Sequence, residues 1–175
     1  MRVLLDGDGR VAVVEQAVEA CAFGQASAAL LGKSATGVNE PLYTRDILRL
    51  AANIPGQREF DEIDEPEMRS PTCGSRLAMR VLLDGDGRVA VVEQAVEACA
   101  FGQASAALVA AGAVGLNRDE AEAALARVEV WLGGFGDEPW PGLIVLDPAR
   151  ARRGRHGAIL LPFRALVAGI ARASA

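Results

Sequence analysis

The chain has 175 residues, a formal net charge of −5 and 51% apolar residues, which favours a packed domain over a disordered chain. The acidic balance argues against a nucleic-acid partner. No apolar run reaches the length of about eighteen residues that a membrane span needs. Acidic residues interrupt the N-terminal segment, so it does not read as a secretion signal. We therefore expect a cytoplasmic protein without nucleic-acid or membrane partners.

The first thirty residues repeat Met79–Leu108 letter for letter. Each copy predicts a hairpin around the turn sequence Asp-Gly-Asp-Gly, followed by small residues at helical spacing. Solenoids need at least about three units that share a core, so one identical pair does not predict a solenoid. We expect residues 1–30 to be a passenger duplicate, joined by a linker at 31–40 to one domain at 41–175.

The domain begins with a predicted helix over 42–53, which a following Pro-Gly pair ends. The acidic segment at 59–67 reads as a solvated loop. The central prediction is an antiparallel hairpin, with strands over 76–83 and 88–97.

The rest of the domain predicts helices and one more strand. A helix of small residues follows Cys99, and Asn117 caps the next helix. The apolar segment 143–147 is a candidate strand. The last helix follows His156, with Pro162 in its first turns. The fold class is therefore α+β, a small antiparallel sheet centred on the 76–97 hairpin and covered on one face by helices.

Two cysteines and the only histidine are the candidate ligands. Cys73 precedes the first strand and Cys99 follows the second, so the hairpin brings both to one end of the sheet. His156 precedes the last helix and can reach the same edge. Thiolates and imidazole suit zinc, iron or an iron–sulfur cluster, and the start of a helix favours the thiolate form of Cys99. Spacing alone equally allows two inert cysteines and a surface histidine.

The ordered pattern of these residues resembles the iron–sulfur cluster assembly scaffolds of the IscU, SufU and NifU N-terminal type. The resemblance covers nearly all of the chain after Pro41. Its matching positions are Tyr43 and Asn53 in the first helix, the Cys73-Gly74 motif, Cys99, the small-residue helix containing Ala104-Ser105 and Leu108-Val109, and His156.

The chain departs from the family pattern at two ligand positions. Ser75 stands where the family has aspartate, and Gly157 stands where it has a third cysteine. The family's Leu-Pro-Pro-Val-Lys segment, which binds a chaperone, is replaced by Arg-Ala-Arg-Arg-Gly-Arg.

The resemblance implies a divergent, non-enzymatic scaffold, a monomer or weak dimer. It would bind iron or a labile [2Fe-2S] cluster, or zinc, through Cys73, Cys99 and His156, with Ser75 a weaker candidate. A cysteine desulfurase and apo-protein acceptors are the implied partners. Two alternatives stay open: a relative without a cluster that acts as an interaction or regulatory module, and a protein with structural zinc.

Overall fold

The computed structural model describes residues 2–5, 11–15, 43–71 and 74–175. The chain divides into two compact units, Met1–Thr44 and Arg45–Ala175. In the first unit, strands β1 (Arg2–Leu5) and β2 (Val11–Glu15) form an antiparallel hairpin, as the sequence predicts. The predicted helix of the first copy, Cys21 and the linker at 31–40 lie outside the described residues.

The second unit is an α+β domain, as predicted. Its sheet has the strand order β3-β4-β5, with both strand pairs antiparallel, and the 76–97 hairpin forms its centre. The elements are α1 (Arg45–Ala51), β3 (Met68–Arg69), β4 (Arg76–Leu83), β5 (Val89–Glu97), α2 (Ala100–Gly112), α3 (Arg118–Leu132) and α4 (Arg153–Ala173), with 3₁₀ helices at Phe60–Glu62 and Leu143–Ala149.

The two identical hairpins adopt the same register. Val3 faces Val14 in the first hairpin, as Val81 faces Val92 in the second. Both hairpins also shift register between the two consecutive leucines of their first strand. Because the register and its irregularity recur in two separate units, they are properties of the local sequence.

One face of the sheet packs against helices. Alternate residues of β4, among them Leu77, Met79 and Val81, are buried on this face. Helix α4 approaches so closely that a Cβ built on Gly169 would lie 2.6 Å from Cγ2 of Val81. The glycine therefore allows the close packing of α4 on β4.

The other face of the sheet is partly covered by the acidic segment 59–67. Most of its residues are exposed, as predicted, but the segment is held to the fold at two points. Ile63 is only 5% exposed and packs against Ala78 and Ala95. Arg172 of α4 donates to a carboxylate oxygen of Glu65 at 2.6 Å. One apolar residue and one ion pair therefore fix a segment whose charge alone suggested a free loop.

The segment 143–147 is not the predicted strand but part of a 3₁₀ helix, Leu143–Ala149. Leu143, Leu146 and Ala149 are all buried, and their spacing of three matches the 3₁₀ period rather than the alternation of a strand. The third strand of the sheet is instead the two-residue β3, which the sequence analysis did not identify.

Helix α4 begins at Arg153, earlier than predicted, so His156 lies in its first turn and Pro162 in its interior. Proline has no N–H for the carbonyl four residues earlier. The next carbonyl along the helix is that of Ile159. Its oxygen accepts a hydrogen bond from the buried hydroxyl of Ser105 at 2.7 Å. This hydrogen bond therefore joins α2 to α4 beside the proline.

Among the described residues, α4 is the one helix long and apolar enough to cross a membrane. However, 56% of the apolar stretch is buried inside the fold. Its neighbours include α2, α3 and β4. Its hydropathy is therefore accounted for by its place in the core.

Candidate functional site

Cys99 lies between the last strand of the sheet, β5, and helix α2. It is the N-cap of α2, with an extended backbone (φ −65°, ψ 164°), and follows the end of β5 by two residues. Its side chain is half-buried, takes no part in a disulfide and forms no capping hydrogen bond. The predicted position of Cys99 at a helix start is therefore confirmed.

The segments around the two predicted cysteine ligands converge at one end of the sheet. Cys73 itself lies outside the described residues. On either side of it, main-chain hydrogen bonds run from Ser70 N to Ser75 O (2.8 Å) and from Gly74 N to Ser70 O (3.1 Å). Ser75 precedes Arg76, which faces Glu97 across the hairpin, and Glu97 precedes Cys99 by two residues.

The carboxylates at this end of the sheet are held by an arginine. Arg76 donates to both oxygens of Glu97 at 2.7 Å and to Glu67 at 3.1 Å, and it stacks over Phe60. The hydrogen bond from Arg76 lowers the pKa of Glu97 below its ordinary value. Glu97 is therefore an ionised partner of Arg76 and not an uncommitted metal ligand.

Ser75, the weaker candidate ligand, is only 3% exposed. Its main-chain oxygen accepts the hydrogen bond from the main-chain N–H of Ser70. A buried hydroxyl is a poorer metal ligand than the carboxylate that the family pattern has at this position. Ser75 as a weaker ligand stays a prediction.

The first turn of α2 packs on the second turn of α4. A Cβ built on Gly102 would lie 2.7 Å from Cβ of Ala98 and 3.3 Å from Cβ of Ala158. Cys99 precedes Gly102 by one helical turn, and Gly157 directly precedes Ala158. Gly157 is therefore adjacent in sequence to the contact between Ala158 and Gly102. That contact lies one helical turn from Cys99.

His156 is fixed by a main-chain acceptor. Its Nε2 lies 2.9 Å from the carbonyl oxygen of Arg150. A carbonyl only accepts, so Nε2 carries the proton, and Nδ1 of the neutral ring has a lone pair. Metal-binding histidines commonly donate their second N–H to a carbonyl in this way. The ring is thus in the tautomer that a ligand through Nδ1 requires.

Arg150, which sequence reasoning missed as a site residue, supports His156 through several contacts of its own. Its Nε donates to the carbonyl oxygen of Trp131 at 2.9 Å, and its Nη1 to Asp147 at 3.0 Å. Its guanidinium lies over the Trp131 ring, 4.9 Å from the ring centre. The atom of Arg150 that contacts His156 is its main-chain carbonyl oxygen. Every residue has such an atom, so the residue type at position 150 does not predict the contact.

His156 also lines an open groove between the end of α3 and the start of α4, and Cys99 is not among its lining residues. The described part of the chain contains no group of three His, Cys, Asp or Glu residues that could hold a metal ion. With Cys73 outside that part, the convergence of Cys73, Cys99 and His156 on one site stays a prediction.

No protein-family model matches the sequence, and no curated protein matches it significantly. Solved structures do match. A nitrogen-fixing NifU-like protein (N-terminal) from Brucella abortus shares 28% identity, covering 76% of this chain and 94% of its own, with a TM-score of 0.66.

A second match is a protein from the thermophile Fervidobacterium islandicum, described as an iron–sulfur cluster assembly scaffold for the SUF system. It has 22% identity and a TM-score of 0.63, and covers 74% of this chain and 96% of its own. The solved neighbours are thus NifU-like and SufU proteins, and this chain has their α+β fold.

Proposed function

We propose that this chain is a divergent iron–sulfur cluster assembly scaffold. It would hold iron or a labile [2Fe-2S] cluster as cargo and pass it to apo-proteins. The observation that carries the proposal is the likeness to the NifU-like structure, 28% identical with 94% of that chain covered. The position of Cys99 at the start of α2, where the sheet ends, supports it.

The proposed ligands are Cys73, Cys99 and His156. Thiolates are the usual ligands of iron–sulfur clusters, and a neutral imidazole nitrogen can replace a thiolate. The hydrogen bond from His156 Nε2 to the Arg150 carbonyl leaves Nδ1 for this role. Since Gly157 offers no side-chain ligand, three protein ligands hold the cargo, and weak retention is the expected consequence.

In this proposal the chain is not an enzyme. A cysteine desulfurase supplies sulfur, apo-proteins receive the cluster, and the scaffold works in the cytoplasm as a monomer or weak dimer. The neighbour described as a SUF-system scaffold supports this set of partners.

The test is reconstitution without oxygen, using ferrous iron, cysteine, a cysteine desulfurase and a thiol reductant that converts the persulfide sulfur to sulfide, with visible absorbance and bound iron as readouts. We expect an absorbance band in the wild type and its loss in Cys73→Ser, Cys99→Ser and His156→Ala. Cys21→Ser is the matched control and should keep the band, because Cys21 repeats Cys99 in sequence but has no Cys-Gly motif before it. A wild type with no band and less than about a tenth of an equivalent of iron would refute the proposal.

Metal analysis of the purified protein separates the two alternatives. Copurified zinc, with a sharp fall in melting temperature on chelation, would indicate a structural metal. Partner binding that survives Cys73→Ser and Cys99→Ser, with no metal bound, would indicate an interaction module.

A further inference from the structure

The basic segment, residues 150–155, concentrates positive charge in an acidic protein. It contains four arginines in six positions, while the whole chain has a net charge of −5. It forms the approach to α4 and the first turn of that helix, next to His156.

Two of these arginines are exposed to solvent. Arg152 and Arg153 are exposed and form no ion pair with any described residue. Arg150 is different, because Asp147 and the Trp131 carbonyl hold it. The segment therefore combines one anchored guanidinium with two that remain available to a partner.

The groove beside the segment has acidic residues, but they are already paired. Asp147 receives a hydrogen bond from Arg150 at 3.0 Å, and Glu129 receives one from Arg164 at 2.9 Å. Among the charged residues that line the groove, Arg153 is left without an ion-pair partner in the described part of the chain. The unpaired charge of the groove is therefore positive.

Glycines form part of the groove's lining. Part of its lining comes from the end of α3, where Leu132 is followed by Gly133 and Gly134. Gly134 has a φ of 98°, and a Cβ built on it would meet no atom within 4 Å. Two residues without side chains therefore leave main chain accessible beside the arginines.

We propose that the basic segment and this groove form a docking surface for an acidic segment of a partner protein. Charge complementarity selects the partner, because unpaired guanidinium groups bind carboxylates well and often bidentately. The partner's role rests on the proposed function: a protein docked here would lie beside His156, a proposed ligand of the cargo.

A protein partner fits better than RNA. The basic segment is six residues long, so it can contact few phosphates, and the rest of the chain is acidic. Single-stranded RNA is bound largely by stacking of bases on aromatic rings. No aromatic residue is among the groove's lining.

The test uses a fluorescent deca-glutamate peptide as probe, with the full chain and without metal. We expect its anisotropy to rise with protein concentration and the affinity to fall with added salt. Arg152→Glu with Arg153→Glu should weaken binding by at least about tenfold. The matched control reverses Arg45 and Arg49, which are exposed on α1 and change the net charge equally; it should retain most of the binding.

Three outcomes would overturn the proposal. Equal losses in the two double variants would mean that net charge alone governs binding. Tighter binding of an oligouridine RNA than of the peptide would identify a nucleic-acid surface. A dimer in light scattering that Arg152→Glu with Arg153→Glu abolishes would show that a second copy of the chain occupies the surface. Because no metal is involved, failure of cluster reconstitution leaves this assay unaffected.

Discussion

The residue after His156 decides how many ligands the proposed site can offer. Gly157 provides none, although it directly precedes Ala158, which packs on Gly102 one turn from Cys99. In the proposed site, a cysteine at 157 would add a thiolate as a fourth ligand. This is the substitution that would bring the ligand set closest to the family pattern.

We expect Gly157→Cys to lengthen cluster retention after anaerobic reconstitution, because a fourth ligand completes the set. The measurement is the half-life of the visible absorbance band in the presence of a chelator. Gly154→Cys is the matched control: it lies three residues earlier in α4, and a Cβ there meets no atom within 4 Å. An equal increase in this half-life in both variants would show that any added thiol near the start of α4 is enough. Position 157 would then not be a specific ligand position.

Glu93 contributes stability that depends on pH. Arg80 and Arg58 both donate to its carboxylate, the latter at 2.8 Å. These hydrogen bonds, Arg80 first, lower its pKa below the usual value of 4.5. Because the pKa is lower in the folded chain than in the unfolded one, the stabilisation is complete above the unfolded pKa. It is lost as pH falls through the folded value.

Glu93→Gln should therefore reduce the free energy of unfolding at pH 7 by about 1 kcal/mol. The difference from wild type should shrink as pH falls below the usual glutamate range, measured by urea unfolding. Asp61→Asn is the matched control, since Asp61 is exposed and forms no ion pair with a described residue. A difference from wild type that stays constant down to acid pH would contradict the assignment.

At the scale of elements, the contact between α2 and α4 fixes the end of the fold that bears Cys99. Gly102→Ala puts a Cβ 2.7 Å from Cβ of Ala98, just before α2, and 3.3 Å from Cβ of Ala158 in α4. The main chain before α2 must therefore shift, and α4 must move by a few tenths of an ångström. Such overpacking costs about 1–3 kcal/mol, even though alanine has the higher helix propensity.

The measurement is the melting temperature followed by tryptophan fluorescence. Gly85→Ala is the control, because Gly85 lies in the hairpin turn, does not have a positive φ, and meets no atom within 4 Å. An unchanged melting temperature in Gly102→Ala would mean that the helix contact tolerates a side chain.

The elements that the sequence predicts well are those with a strong local signal. The 76–97 hairpin has turn residues between two apolar runs, and its register recurs in the first copy. The capping box of Asn117 with Glu120 is likewise local. Periodicity could also have distinguished the 3₁₀ helix at Leu143–Ala149 from a strand, since its buried residues recur every third position.

The features that the sequence does not predict depend on distant partners. Ile63 is buried only because Ala78 and Ala95 lie beneath it. The candidate site shows the same limit. The N-cap position of Cys99 is local and was predicted, whereas the tautomer of His156 depends on a main-chain oxygen of Arg150.

At the scale of the whole molecule, the structure explains why the second copy, and not the first, suits the domain core. The copies differ beyond their thirty shared residues, and Ser34 of the first corresponds to Gly112 of the second. A Cβ built on Gly112 would lie 2.7 Å from the Trp140 ring. That ring is fixed by a hydrogen bond to the Leu108 carbonyl (3.0 Å) and an edge contact with Phe163.

We therefore expect deletion of residues 1–36 to leave the domain intact. The described residues that complete the core, from α1 to α4, belong to the compact unit Arg45–Ala175. The melting temperature should stay within about 2 °C of the full chain, which corresponds to less than about 1 kcal/mol at this size. Differential scanning calorimetry and iron binding after reconstitution are the two measurements.

Each result of the deletion has a distinct physical meaning. An unchanged melting temperature with unchanged iron binding identifies the first copy as a passenger, and Cys21 with it. A fall of several degrees would mean that the first copy stabilises the domain, which its own hairpin could do by pairing with an open strand edge. Unchanged stability with reduced iron binding would instead make Cys21 a ligand. Cys21→Ser in the full chain would then have to reproduce that loss, because removing the thiol alone leaves the rest of the first copy in place.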